Sequence, residues 1–324
     1  INNAPVFSGI FNIVNQLLFS IKAEAVAEVA IEHIKAGRKP VIAFANTMES
    51  FLNTLIGDDG NLVEVGDPIS SDFSKILEKR LNGVLRYTEI DPDGKREYKL
   101  IDIHAMSPEL RVEYSRIMTK IKTASIGISS SPVDVLIDRI EKAGFSVAEI
   151  TGRDRQLKLL DKGMARIQSR IKMTPTDSFR DFNENKYDCL LINQSGSTGA
   201  SAHAKPNDKV PASKVKQRVM IILQAELNIN TEIQKRGRIH RTGQIFLPMY
   251  DYVVSAIPAE KRLMMMLQKK IKSLDANVTS NQKESKKVIN IQDFLNKYGD
   301  IVVEQYLKDN PLINLQLDDP LKLQ

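Results

Sequence analysis

One cysteine, four histidines and no tryptophan occur in a chain of 324 residues. A single cysteine excludes an intramolecular disulfide framework and any thiolate-rich zinc site. Cys189 falls inside an apolar run and reads as a small core residue rather than a nucleophile. The histidines show no metal-ligand spacing, so no metal site is expected on this chain, and no Ser-His-Asp constellation suggests itself. Long apolar runs are missing too. The most apolar early stretch, 6–21, is interrupted by Ser8, Asn12, Asn15, Gln16 and Ser20 and has no basic segment ahead of it. That excludes a bilayer span and an export signal and makes a cytoplasmic protein the default. Its apolar residues Ile10, Phe11, Ile13, Val14, Leu17, Leu18 and Ile21 recur at helical spacing, as expected of an amphipathic helix packed on a sheet.

Two further absences bear on catalysis. A nucleotide-binding phosphate loop has the form G-x-x-x-x-G-K-[ST]. The one Gly-Lys step is Gly94-Lys95, followed by Arg96. No Asp-Glu step exists, so there is no D-E-x-x box. The chain by itself carries neither the phosphate loop nor the acidic metal-and-water site that ATP hydrolysis requires.

What is present fits a soluble α/β protein. The 42% hydrophobic and 27% charged content excludes wholesale disorder. The net charge of +6 is mild and by itself says little about partners. Ala23 to Ala36 is a strong helix former ended by Gly37, and it leads into the short apolar run Val41 to Ala45. Runs of that kind read as strands buried on both faces, and 146–150, 188–193 and 218–224 resemble it. Helical patterns at 132–143 and 178–183 lie between them. The alternation predicts a parallel, doubly wound sheet.

Two regions depart from it. Residues 57–130 are read as an insertion, with a hairpin (84–90 and 96–103) turning at Asp91-Pro92-Asp93-Gly94 and a helix over 108–123. From Pro258 a basic, Met-rich helix opens a helical extension, in which Met264, Met265 and Met266 are expected to pack. The expected division is a lobe over 1–257 and the extension over 258–324.

The most informative stretch runs from Gln234 to Gln244, in the pattern Q-x-x-G-R-x-x-R-x-x-Q. Arg238 and Arg241, three apart after Gly237, are expected to project from one side of a helix start. Guanidinium groups fixed there can grip a terminal phosphate through bidentate, charge-assisted bonds; the plainer reading is a surface basic cluster. Upstream, a buried strand ends in Asn193-Gln194-Ser195-Gly196-Ser197-Thr198-Gly199-Ala200-Ser201-Ala202-His203. Small residues at a strand's carboxyl end let a ligand approach the backbone closely. An ordinary Gly/Ser loop is the plainer reading there.

The Gln234–Gln244 pattern resembles motif VI of superfamily 2 helicases and translocases, and 193–203 precedes it at about the interval of motif V. The chain further resembles the C-terminal helicase lobe of the strawberry notch-like group, whose bacterial, plasmid and phage members are DNA helicases by resemblance. The residues that carry this are Ser131-Pro132-Val133-Asp134, Ile137-Asp138-Arg139-Ile140, Gly144 to Arg153, Gly196 to Ser201 with His203-Ala204, and Gly237-Arg238 with His240-Arg241 and Gln244. Pro258 to Arg262 and Lys269 to Ala276 add to it, and the likeness is good over 132–279. One departure is Glu226-Leu227, where the family usually has Pro-Trp.

The resemblance implies a RecA-like sheet flanked by helices. It implies arginine fingers at Arg238 and Arg241, with nucleotide contacts from Gln234, Gly237 and Gly199. DNA-backbone contacts would come from Asn46 and Thr47 (motif IV), Thr151, Gly152 and Arg153, and Ser195, Ser197, Thr198 and Ser201. The cofactor would be ATP with Mg²⁺, the metal held by an N-terminal RecA-like lobe of the same parent protein. The partner would be DNA, with RNA left open, and no membrane. The setting would be a bacterial host cytoplasm, or a virion if the chain is phage-encoded. A chain that begins at Ile1 reads as a fragment or a processed product, and the lobe alone is expected to be inactive.

Two alternatives stand beside this: a non-catalytic DNA-binding or scaffold module, and a Swi/Snf-type translocase lobe, which shares the ending from Arg238 to Gln244. From Lys205 to Arg241 there are nine Lys and Arg against three Asp and Glu, an excess of six that equals the charge of the whole chain. The expected site is therefore a concentrated basic patch.

Overall fold

The computed structural model describes residues 6–45, 47, 63–90, 96–124, 127–193, 201–224, 228–278, 297–317 and 320. Two compact units divide the chain, Ile1–Ser255 and Ala256–Gln324. In chain order the first begins with α1 (Val6–Lys35), β1 (Lys39–Phe44), β2 (Pro68–Ser70), α2 (Ser74–Val84), β3 (Arg86–Ile90), β4 (Arg96–Leu100) and α3 (Pro108–Ala124). It continues with α4 (Pro132–Lys142), β5 (Val147–Ile150), β6 (Arg155–Leu159), β7 (Met164–Ser169) and α5 (Pro175–Asn183). It ends with β8 (Cys189–Asn193), β9 (Arg218–Ile222), α6 (Ile229–Arg236) and β10 (Met249–Tyr252). The second unit contains α7 (Pro258–Val278), α8 (Lys297–Asp309) and α9 (Pro311–Asn314).

Five strands form one sheet in the order β10-β9-β1-β8-β5, parallel throughout, with helices on both faces. This is the parallel α/β sheet expected from the strand–helix alternation, in the RecA-like arrangement that the resemblance implies. Every residue of β1, β8 and β9 is buried, which explains why these strands are unbroken apolar runs. Alternate residues serve two cores. Ile42, Phe44, Cys189, Leu191, Val219 and Ile221 face α1 and α4. Val41, Ala43, Leu190, Ile192, Met220 and Ile222 face Phe179, Phe182, Ala202 and Ile239. Cys189 is fully buried, and burial pushes its thiol pKa up, as suits a core residue.

The amphipathic stretch 6–21 and the Ala-rich stretch 23–36 are one helix. The apolar stripe Phe19, Ala23, Val26, Ala27, Ala30 and Ile34 runs through their junction at spacings of three and four, so one face packs continuously. At Gly37 the φ of +77° closes the helix, with Gly37 N–H donating to Ile34 O and Arg38 N–H to His33 O. His33 is buried between Arg38, whose Nε donates to its Nδ1 at 2.8 Å, and the Asp251 carboxylate of β10 at 2.5 Å.

The region expected as an insertion holds α2, the β3–β4 hairpin and α3, with Tyr114 Oη donating to Asn82 Oδ1. Its turn at 91–94 lies outside the described residues. A second excursion was not expected. Strands β6 and β7 form a hairpin directly after β5, and β2 joins it to make a three-stranded antiparallel sheet over Val63, Ile69, Leu157, Ala165 and Ile167. Within α7, Met264 and Met265 are buried and Met266 is exposed.

Candidate functional site

The short helix α6 is fixed by side chains on β10. Asn228 caps it, its Oδ1 accepting from Asn230 N–H. Glu232 is fully buried; its Oε1 accepts from Tyr252 Oη at 2.5 Å, and Lys235 Nζ lies 3.5 Å from Oε2. The Arg236 guanidinium stacks on Tyr250, 4.6 Å from the ring centroid, with Tyr252 at 5.7 Å. Burial, with the neighbouring Glu232 carboxylate, pushes the Tyr252 hydroxyl well above its ordinary value and so keeps it a donor.

Arg238 and Arg241 follow the C-terminus of α6 rather than starting a helix. Gly237 is the cap residue, and Ile239 drops into the core with no exposure, which pulls the chain out of helical register. Hydrogen bonds then hold the turn. Ala202 N–H donates to Arg238 O at 2.8 Å, Arg241 Nε to Gly237 O at 3.2 Å, and Arg241 N–H to Gln244 Oε1 at 3.2 Å. Gly243, with φ at +89°, completes it, and the Lys205 side chain lies across its Cα face.

The chain on the other side of that turn alternates. Ala202 and Ala204 are buried, whereas His203 is half-buried and Lys205 exposed. Ile245 N–H donates to Ala204 O, so hydrogen bonds from residues 202 and 204 bracket His203 against the arginine turn. Burial and then Lys205, Arg218 and Arg241 hold the His203 imidazole below its ordinary pKa. Burial and then Arg241 lower that of Arg238. Among the described residues Arg241, His203 and Lys205 have no carboxylate partner, so the charges of Arg241 and Lys205 act on the His203 imidazole without an anion between them. The basic patch is narrower than the sequence count implies. Arg218 is buried with Nε on Ala202 O, Lys235 pairs with Glu232, and Lys209 pairs with Glu184.

The remaining expected site residues divide by edge. Because the five strands are parallel, Thr47 beyond β1 and Thr151 and Gly152 beyond β5 share the sheet's carboxyl edge. The arginine turn is tied through Ala202 to Arg218, the first residue of β9, and so lies toward the amino edge. Ser201 is half-buried and its carbonyl accepts from Asn183 Nδ2 at 2.9 Å. Gln234 is exposed on α6. Asn46, Ser195, Ser197, Thr198 and Gly199 lie outside the described residues, as does Glu226-Leu227.

Arg153 is corrected. Neither a phosphate-binding nor a solvated arginine, it has no exposure and is held by two carboxylates. Its Nη1 lies 2.7 Å from Asp134 Oδ1, and its Nε and Nη2 donate to the two oxygens of Glu149 at 2.7 and 2.8 Å. Arg170 balances the set at 3.3 Å from Glu149, and Asp134 also accepts from Ser131 Oγ and Leu157 N–H. Burial opposes the charge on Glu149, but Arg153, Arg170 and Thr151 outweigh it and hold its carboxyl below the ordinary value. Two cations and two carboxylates clamp the β6–β7 hairpin to α4 and the end of β5. Through Arg170 to Thr151 Oγ1 (3.3 Å) and Lys172 to Gly152 O (2.8 Å), the same contacts fix the 151–152 backbone.

Sequence reasoning missed Glu232, Tyr250 and Tyr252, which set the position of the arginine turn. Only the alternation of Tyr250 and Tyr252 on one strand face was available as a signal. No group of three or more His, Cys, Asp or Glu among the described residues could hold a metal ion. No described helix is long and apolar enough to cross a membrane.

A RecA-like parallel sheet with a G-R-x-x-R turn docked against its last strands defines a helicase-type lobe. Comparison with known proteins makes this particular. Residues 131–316 match the family described as the C-terminal domain on strawberry notch homologues, and the chain belongs to that family. The match reaches beyond 132–279 into the helical extension. Protein strawberry notch homolog 1 of Gallus gallus is 25% identical over 219 residues, covering 63% of this chain and 17% of the relative. Protein strawberry notch of Drosophila melanogaster is 25% identical over 210 residues, 61% of this chain and 12% of the relative. Protein FORGETTER 1 of Arabidopsis thaliana is 28% identical over 159 residues, 47% and 12% respectively. The chain thus spans under a fifth of the length of these relatives.

Proposed function

We propose that this chain is the C-terminal lobe of an ATP-dependent superfamily 2 DNA helicase or translocase. It supplies arginine fingers to an ATP site that an N-terminal RecA-like lobe completes. The observation that carries this reading is the arginine turn: a rigidly tied backbone presents Arg241 beside Arg238, His203 and Lys205 with no carboxylate on Arg241 among the described residues. Such a cluster attracts an anion, and a phosphate is the anion that guanidinium groups match best.

ATP with Mg²⁺, when bound, supplies a terminal phosphoryl group for transfer to water. Toward it Arg238 and Arg241 stabilise charge, and Gln234, Gly237 and Gly199 border the nucleotide. The cationic turn fits the phosphates; the metal would be held by acidic residues of the other lobe. DNA phosphates would be met by Asn46, Thr47, Thr151 and Gly152, and by Ser195, Ser197, Thr198 and Ser201; RNA offers the same phosphates. Arg153 acts only by fixing the backbone of its neighbours. The test compares ATP turnover by this chain with turnover by a protein carrying both lobes. DNA-stimulated hydrolysis is expected only from the second; hydrolysis by the chain alone would overturn the reading.

A further inference from the structure

We propose that His203 and Lys205 complete the phosphate site of Arg238 and Arg241, and that the group bound there is the terminal phosphate of a nucleoside triphosphate. The proposal rests on the nucleotide reading above and deepens it by assigning two residues and one ligand group. Three observations carry it. Ala202 and Ala204 enter the core, so His203 and Lys205 emerge on the opposite side, and their segment is hydrogen-bonded to the arginine turn at both ends. The aliphatic part of the Lys205 side chain lies beside Gly243, where a Cβ would touch it. The His203 Nδ1 atom is buried with no hydrogen-bond partner among the described residues, an expensive arrangement that a ligand oxygen or a ligand-ordered water would relieve.

Charge and topology choose the ligand. Nitrogen-bearing side chains from two hydrogen-bonded segments, His203 and Lys205 on one and Arg238 and Arg241 on the other, suit a terminal phosphate, which carries more charge and more free oxygens than a phosphodiester. The cluster also lies toward the sheet's amino edge, away from Thr47, Thr151 and Gly152 at the carboxyl edge. Burial and then Lys205, Arg218 and Arg241 hold the His203 pKa below its ordinary value, and an arriving dianion would act in the opposite direction.

The experiment follows the imidazole resonances of this chain by NMR during titration with tripolyphosphate. His33, His104 and His240 serve as internal references, and a single-stranded oligonucleotide is the competing probe. His203 is expected to shift saturably with tripolyphosphate and not with the oligonucleotide. Lys205 is exposed, so Lys205→Ala should fold normally and weaken the apparent affinity by about tenfold, the scale of one charge-assisted hydrogen bond. No saturable shift, or a shift with the oligonucleotide alone, would overturn the assignment. If His203 stays silent while Arg241→Ala abolishes turnover in the two-lobed protein, this site is lost and the helicase reading stands. A normal His203 response with turnover untouched by Arg241→Ala would instead sink the helicase reading.

Discussion

Arg153 follows Gly152 just beyond β5 and Arg241 lies four residues past Gly237 at the end of α6, yet their surroundings are opposite. Arg153 has lost all contact with solvent and is matched by Asp134 and Glu149, with Arg170 completing a balanced set of four charges. Arg241 is exposed, leans on a backbone carbonyl, and has cations for neighbours. Charge compensation, more than the presence of an arginine, separates a residue that holds the fold from one that waits for an anion. The two regions are still related, since the compensated set fixes Thr151 and Gly152 at the carboxyl edge while the uncompensated one lies toward the other edge.

The comparison is broken most severely by removing each arginine in turn. In a protein carrying both lobes, Arg241→Ala should lower ATP turnover by about a thousandfold or more, the scale of an arginine finger, while DNA affinity changes little. Steady-state kinetics beside a DNA-binding titration would check this, and a collapse of DNA binding with turnover intact would reverse the assignment. In the isolated chain the same substitution should leave the unfolding midpoint nearly unchanged. Arg153→Ala should do the opposite and destabilise the first unit by about 3–5 kcal/mol, because two buried carboxylates lose their partner. Chemical denaturation gives the value; a loss below about 1 kcal/mol would mean that the charges are solvated after all.

How much of this was legible before the structure depends on where each stabilising contact lies. β1, β8 and β9 could be read because burial on both faces leaves short apolar runs, β5 by its alternation of Ala148 and Ile150 toward the core, and Gly37 marks the end of α1 through its backbone freedom. β10 could not, because its Met-Tyr-Asp-Tyr sequence carries polar atoms that are satisfied by α1 and α6. The β6–β7 hairpin was missed because its apolar side is only Leu157, Leu159, Ala165 and Ile167, spaced by charged residues and turning at Lys162, whose φ of 58° is uncommon for a side-chain-bearing residue. In the candidate site the arginine pair was legible as a spacing, but its place after a helix was not, since Ile239 enters the core. Arg153 was misread for a related reason: Asp134 arrives from another element, and only the fold brings it to the guanidinium.

Lys39 offers a third case, a buried lysine with no carboxylate in hydrogen-bond contact among the described residues. Its ammonium donates to Phe182 O and Asn185 Oδ1 and sits 4.1 Å from the Phe182 ring centroid. Burial, then the charges of Arg218 and Lys216, pull its pKa from 10.5 to about 6. The unfolded chain therefore binds the proton more strongly than the folded one between those values. Stability must rise with pH across that window, at a slope approaching about 1.4 kcal/mol per unit from this residue. Lys39→Met should remove that contribution from a series of denaturation curves between pH 6 and 9; an unchanged slope would place the ammonium in solvent contact.

The smallest change probes how the uncompensated turn is held. Tyr252→Phe deletes only the hydroxyl that Glu232 accepts, leaving the buried carboxylate to Lys235 at 3.5 Å. The ring that supports Arg236 stays, so the core keeps its volume. An acceptor deprived of its partner costs about 1–3 kcal/mol, and the lower end applies because Lys235 shares the charge. If α6 serves chiefly to aim Arg238 and Arg241, turnover in the two-lobed protein should fall by more than this loss of stability explains, with kcat affected and KM for ATP nearly constant. That split distinguishes aiming from folding, since simple destabilisation would lower the amount of active protein while leaving each folded molecule at its normal rate. Active-site titration beside kcat therefore decides it: a fall in active fraction alone would make Glu232 and Tyr252 structural in the sense of Arg153, and the division between the two regions would then run through α6 itself.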